Sequence, residues 1–147
     1  MLYYLYSNIK ILRGTKPMEN QKINFRLTKS EQELMDIFWQ SEEPLAIQKI
    51  LENAPVNRNW KDSSVHLIVN HLLNKGVIEV AGFKKTTKNY ARTFCPVMSK
   101  EEFLLHTIID PFDKKEILRI FHMLLQEIDS DKELEELQEQ IKAAMKK

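Results

Sequence analysis

The stretch SSVHLIVNHLLNKGVIEV, residues 63–80, leaves this chain few choices of fold. Val65, Ile68, Val69, Leu72 and Leu73 recur at the i, i+3, i+4, i+7, i+8 positions of a single apolar helical stripe. Gly76 then interrupts, and a β-branched segment follows, so the helix must stop and a strand begin almost at once. At about 100° per residue, Ser63, His66, Leu67, Asn70, His71 and Asn74 fall on the side opposite the stripe. A buried face and a polar face are therefore both specified, and the polar face needs a purpose.

The elements around this helix are legible. Thr28 and Glu31 in TKSE form a capping-box pattern ahead of Leu34, Ile37 and Phe38, which predicts a first helix from about Lys29 to Gln40. After the SEEP interruption, Ile47, Ile50, Leu51 and Ala54 share one face of a second, shorter helix. PVNRNW is a polar break, after which Asp62 is placed to cap the third helix and Gly76 to end it. VIEVAGF and YARTFCPV are strand-like and flank KKTTKN, which predicts a β-hairpin with a basic tip. No acidic residue lies between Glu79 and Glu101, whereas Lys84, Lys85, Lys88, Arg92 and Lys100 all do.

Three more helical segments follow: SKEEFLLHTII, DKKEILRIFHMLLQEI and SDKELEELQEQIKAAMKK. Ile117, Phe121, Leu124 and Ile128 form a stripe in the middle one, and Leu134, Leu137, Ile141 and Ala144 keep 4,3 spacing in the last. Ser130 and Glu133 repeat the capping-box pattern at its start. Narrow stripes on short charged helices need a partner to cover them, which points to a homodimer through Ile117, Phe121, Leu124, Ile128, Leu134, Leu137 and Ile141.

Composition sets the outer bounds. A chain of 147 residues is the size of one ordinary domain, or of a small domain with an appended helical segment, and 43% hydrophobic and 29% charged residues are the balance of a soluble, packed protein. Cys95 is the only cysteine, which excludes an internal disulfide framework and multi-cysteine metal sites and suits a reducing cytoplasm. The segment MLYYLYSNIKILRGTKPMENQ lacks a basic leader, an unbroken apolar run and a cleavage site, so no signal peptide is expected, and no membrane is among the expected partners. Organised patterning starts only at Leu27, which makes Met18 a candidate start and residues 1–26 an N-terminal extension of weak order. His66, His71, His106 and His122 match no metal-ligand spacing, and the glycines at 14, 76 and 82 make no phosphate loop. No metal, cofactor or enzymatic activity is expected.

Net charge is +3 over residues 1–25, +2 over 26–98 and −4 over 99–147, so front and back face different partners. Three helices followed by a basic hairpin is the order of a winged helix-turn-helix, whose third helix enters the major groove of DNA while the hairpin touches backbone or minor groove. The expected fold class is mostly α (α+β), with a winged-helix domain over 27–98 and a helical dimerisation domain over 99–147. Ser63 and Ser64 suit phosphates or base edges, His66 and His71 phosphate or guanine, Asn70 adenine, and Leu67 a thymine methyl. Lys84, Lys85, Lys88 and Arg92 would hold the backbone from the wing. The competing reading is a winged-helix protein-interaction module without operator binding. Plain solvation also produces Ser-, His- and Asn-rich faces, that face has no Arg or Lys before Lys75, and a carboxylate at Asp62 would repel phosphate.

LTKSEQELMDIFWQSEEPLAIQKI, Trp60 ahead of SSVHLIVNHLLNKGVIEV, and YARTFCPVMSKEEF together resemble the BlaI/MecI penicillinase-repressor family of bacterial transcription regulators, from about Leu27 to the C-terminus. The resemblance implies a winged-helix domain that binds a dyad-symmetric operator, a C-terminal segment that dimerises and represses, and a regulatory sensor or protease as a further partner. It assigns Ser63, Ser64, His66, Asn70 and His71 to the recognition helix and Lys84, Lys85, Lys88 and Arg92 to the wing. Resistance-type members are cut at an Asn-Phe bond where this chain has Glu102-Phe103, and copper-responsive members carry a cysteine-rich tail where this chain ends KAAMKK.

Overall fold

The computed structural model describes residues 22–146, so most of the expected N-terminal extension, Met18 included, lies outside the described residues. The chain divides into two compact units, Met1–Leu104 and Leu105–Lys147.

In the first unit, helix α1 (Lys29–Gln40) begins where the sequence predicts, because both halves of the capping box form. The Glu31 amide donates to Thr28 Oγ1 at 3.3 Å, and the Thr28 amide donates to the Glu31 carboxylate at 2.8 Å. Its apolar stripe, Leu34, Met35, Ile37 and Phe38, is buried. A two-residue strand β1 (Leu45–Ala46), which the sequence does not predict, precedes the short α2 (Ile47–Asn53). Two residues are too few to show the strand period, so no pattern could announce β1.

The third helix, α3 (Val65–Lys75), is entered through a single 3-10 turn, Asp62–Ser64. The expected cap is not made: Ser64 occupies the N-cap without a side-chain cap bond, and Asp62 is instead ion-paired with Arg58. The competing cation, four residues earlier in the polar break, captures the carboxylate that local spacing assigned to the helix amides. Val65, Ile68, Val69 and Leu72 are buried as expected. Gly76 ends the helix at φ 73°, with its amide donating to Leu73 O at 3.0 Å and the Val77 amide to Leu72 O at 3.2 Å. This pairing needs the left-handed conformation that glycine adopts without a Cβ penalty.

Strands β2 (Ile78–Lys85) and β3 (Tyr90–Pro96) form the hairpin, and β1 pairs with β3, giving an antiparallel sheet of order β1-β3-β2. Ile78 faces Pro96 and Phe83 faces Arg92, with an irregularity between Val80 and Gly82. The core joins the α1, α2 and α3 stripes to Leu45, Trp60, Val77, Ile78, Phe94 and Phe103. Cys95 is buried, as a small hydrophobe would be.

Two flanking segments extend this core. Ile23, Phe25 and Leu27 pack against it, and the Asn24 amide donates to Lys75 O at 2.9 Å, occupying a carbonyl that the end of α3 leaves open. Helix α4 (Lys100–Ile109) starts at another reciprocal cap, Ser99 with Glu102. Its Phe103 is 2% exposed, with ring centroids 5.3 Å from Phe25 and 5.3 Å from Trp39. Trp39 Nε1 donates to Met98 O at 3.1 Å and Lys100 pairs with Asp36 at 2.9 Å, tying the start of α4 to α1.

The second unit holds α5 (Lys114–Gln126) and α6 (Asp131–Met145). Asp113 and Glu116 cap α5 reciprocally, and Ser130 Oγ accepts from the Glu133 amide at 3.4 Å at the start of α6. Neither helix has a buried residue.

Candidate nucleic-acid interface

The polar face of α3 and the wing meet in one place. A cleft of about 580 Å³ lies between the start of α2, the face of α3 and the outer half of the hairpin, lined by Lys49, His66, Asn70, Lys84, Lys85 and Arg92 among others. Phe94, Val69 and Ala46 form its apolar floor. His66, Asn70, Lys84, Lys85 and Arg92, far apart in sequence, are thus brought onto one surface by the packing of α2, α3 and the hairpin.

The electrostatics of this surface are one-sided. Lys84, Lys85, Lys88 and Arg92 are exposed, and none takes part in an ion pair among the described residues. The acidic residue in the cleft, Glu52, is paired with Lys49 at 3.1 Å. Asp62 does not present a bare charge, because Arg58 holds it while stacking its guanidinium 4.7 Å from the Trp60 ring. Arg58 therefore offsets the charge with which a free Asp62 would repel phosphate.

The remaining predicted residues are distributed more widely. Ser63 and Ser64 sit in the 3-10 turn ahead of α3, and Leu67 is 58% exposed on the helix itself. His71 turns toward α1: its Nδ1 lies 3.6 Å from Oε1 of the buried Glu31. The other carboxylate oxygen of Glu31 accepts from Lys75 Nζ at 2.6 Å. Burial pushes the Glu31 carboxyl up, but hydrogen bonds from Lys75 and Thr28 and the Lys75 charge outweigh it and hold the carboxyl below its ordinary range. This buried anion fixes the C-terminal half of α3 on α1, so it orients the helix rather than touching a ligand.

Sequence reasoning missed Lys49 and Gln48, which bring α2 into the cleft, and Arg58 beside the start of α3. The available signal was positional. Gln48 and Lys49 are the polar side of a helix whose apolar side is Ile47, Ile50 and Leu51, and a second helix preceding a reading helix contributes that side to the same surface.

A family model described as penicillinase repressor matches residues 27–143. The chain belongs to the penicillinase repressor family. With the winged helix-turn-helix and the cationic hairpin already in place, membership in the penicillinase repressor family makes it a DNA-binding transcriptional repressor. The family is one of regulators, not of enzymes. Among solved structures the chain is similar to a MepR mutant from a multidrug-resistant S. aureus clinical isolate, at 17% identity over 97% of this chain and 95% of that one, with a TM-score of 0.39. It is also similar to the adhesin competence repressor AdcR from Streptococcus pyogenes, at 17% identity over 97% of this chain and 91% of that one, with a TM-score of 0.37. No curated protein matches the sequence. Among the described residues no helix is long and apolar enough to cross a membrane, and no group of three or more metal-ligating side chains occurs.

Proposed function

We propose that this penicillinase-repressor chain acts in the cytoplasm as a homodimer on a dyad-symmetric operator. Ser63, Ser64, His66, Leu67, Asn70 and His71 would meet the major groove, while Lys84, Lys85, Lys88 and Arg92 hold the flanking backbone. The observation that carries this reading is the convergence of His66 and Asn70 with Lys84, Lys85 and Arg92 on one cleft without an unpaired carboxylate. Hydrogen-bonding side chains for base edges and point charges for phosphates are then supplied by neighbouring elements, which is the division of labour a duplex demands.

Two-fold symmetry in the operator is supported by the second unit. Phe121 is 43% exposed, Leu124 56% and Ile141 46%, on helices in which no residue is fully buried. A second copy of the same helices covers such faces and sets the half-site spacing. A sensor or protease that relieves repression at Glu102-Phe103 would have to open α4 first, since Glu102 closes its cap and Phe103 is buried.

Selection of random duplexes by the purified protein at physiological salt, followed by sequencing of the bound pool, tests the proposal. An inverted repeat is expected, its spacing reporting the dimer. A pool that stays random, with weak salt-sensitive binding, would overturn operator recognition in favour of a protein-interaction module.

A further inference from the structure

The wing carries more than charge. The hairpin register sets Phe83 opposite Arg92 and Lys85 opposite Tyr90, and the two-residue strand period puts all four on one face, two aromatics alternating with two cations. Phe94 lies two residues from Arg92 on the same face, with the Arg92 guanidinium 5.6 Å from its ring centroid. Lys85, Arg92 and Phe94 of this face line the cleft together with His66 and Asn70, and Phe83 and Tyr90 share that face of the ribbon without lining the cleft themselves.

Neither ring is used by the fold. Phe83 is 70% exposed and Tyr90 69%, so their cross-strand neighbours leave most of each ring in water. The ribbon beneath them is tied at its tip: the Thr86 amide donates to Asn89 O at 2.7 Å, and the Asn89 amide to Thr86 Oγ1 at 3.0 Å. Two exposed aromatics held on a stiff cationic ribbon suit a surface that offers both phosphates and apolar edges. A duplex minor groove offers both, and apolar side chains that enter it pack against base steps and pry them apart.

We propose that Phe83 and Tyr90 enter the minor groove beside the major-groove site of α3, so that the wing reads the deformability of the operator flank. This rests on the reading of the cleft as a duplex-DNA site and adds a second specificity determinant to it. Lys84, Lys85, Lys88 and Arg92 bring the ribbon to the backbone, and the two rings then favour flanks that open easily. Pyrimidine–purine steps such as TA and CA are the expected preference, because they unstack at the lowest cost.

The test uses the duplex selected by the full-length protein, remade with the flanking step varied and with 2-aminopurine placed there as a fluorescent reporter of unstacking. Phe83→Ala and Tyr90→Ala are each expected to weaken binding about tenfold, abolish the flank preference and the 2-aminopurine signal, and leave the salt slope unchanged, since every cation of the wing is still present. Phe83→Leu, which keeps apolar bulk, should retain part of the preference, and thermal melts of all three should match the parent protein because the rings are exposed. Alanine variants that bind with undiminished affinity and the same flank preference would overturn the wing's role. A parent protein that selects no sequence at all would overturn the operator reading itself, and the wing's role with it.

Discussion

Glu31 shows how one side chain takes part in two structural tasks. It closes the cap of α1 and anchors Lys75 and His71 of α3, at 3% exposure. Its folded carboxyl titrates below its ordinary range, so the unfolded chain takes up its proton first as the solution is acidified. The contribution of Glu31 is therefore complete at neutral pH, above the unfolded value, and disappears as pH falls through the ordinary carboxylate range to the lower folded value. Glu31→Gln should cost about 1–3 kcal/mol in urea unfolding at pH 7, with the gap to the parent narrowing as the solution is acidified through that range. A gap independent of pH would remove the ionic role. Asn70, on the cleft, makes a different kind of prediction: Asn70→Ala should relax base preference at one operator position, costing about 1–3 kcal/mol there and little elsewhere. Uniform weakening across all sequences would reassign it to positioning. The capping role of Glu31 was legible in TKSE; its bond to Lys75 was not, because 44 residues separate them and no local spacing encodes the meeting of two helices.

Helix α3 and the hairpin both depend on Gly76. At φ 73° any side chain with a Cβ is strained, so Gly76→Ala should lower stability by about 1–2 kcal/mol, read as a shift in unfolding midpoint with an unchanged denaturant slope. The wing's charges act as a group. Replacing Lys84 and Lys85 with Ala should weaken binding to all duplexes alike and reduce the slope of log K against log salt by about 2, near 0.9 for each phosphate no longer neutralised. An unchanged slope would place these lysines off the backbone. Helix bounds and the hairpin were readable because α1 and α3 carry strong periodic stripes with stop signals at their ends, and the strand runs flank a polar tip. The entry to α3 was not readable for a physical reason: Asp62 had two possible partners, amides ahead and Arg58 behind, and the ion pair prevailed.

The whole molecule is two units of opposite character. The first buries Leu34, Phe38, Ile50, Leu72 and Phe94, whereas α5 and α6 of the second have no fully buried residue and display Leu118, Phe121, Leu124 and Ile141. In the proposed homodimer a second copy covers these faces. Sedimentation of the Leu124→Asp, Leu137→Asp double variant should give a monomer and, at equal protein concentration, a loss of operator affinity. A dimer that persists would mean that another surface joins the copies.

Local patterning was enough to specify the helices, the hairpin, the cationic run and the winged-helix order, because each is written in periodicity, caps and turn residues. It also carried the family resemblance that the match over residues 27–143 established. Which of the polar residues share a surface was settled by packing alone. Packing drew His66 and Asn70 to the wing, turned His71 and Lys75 toward Glu31, and buried Phe103 between Phe25 and Trp39, while Asp62 paired with Arg58 four residues before it. Three of these four are contacts between elements, set by how the apolar stripes dock, and the fourth is a choice between partners that docking leaves open to Arg58. A local pattern specifies a stripe without naming what lies across from it.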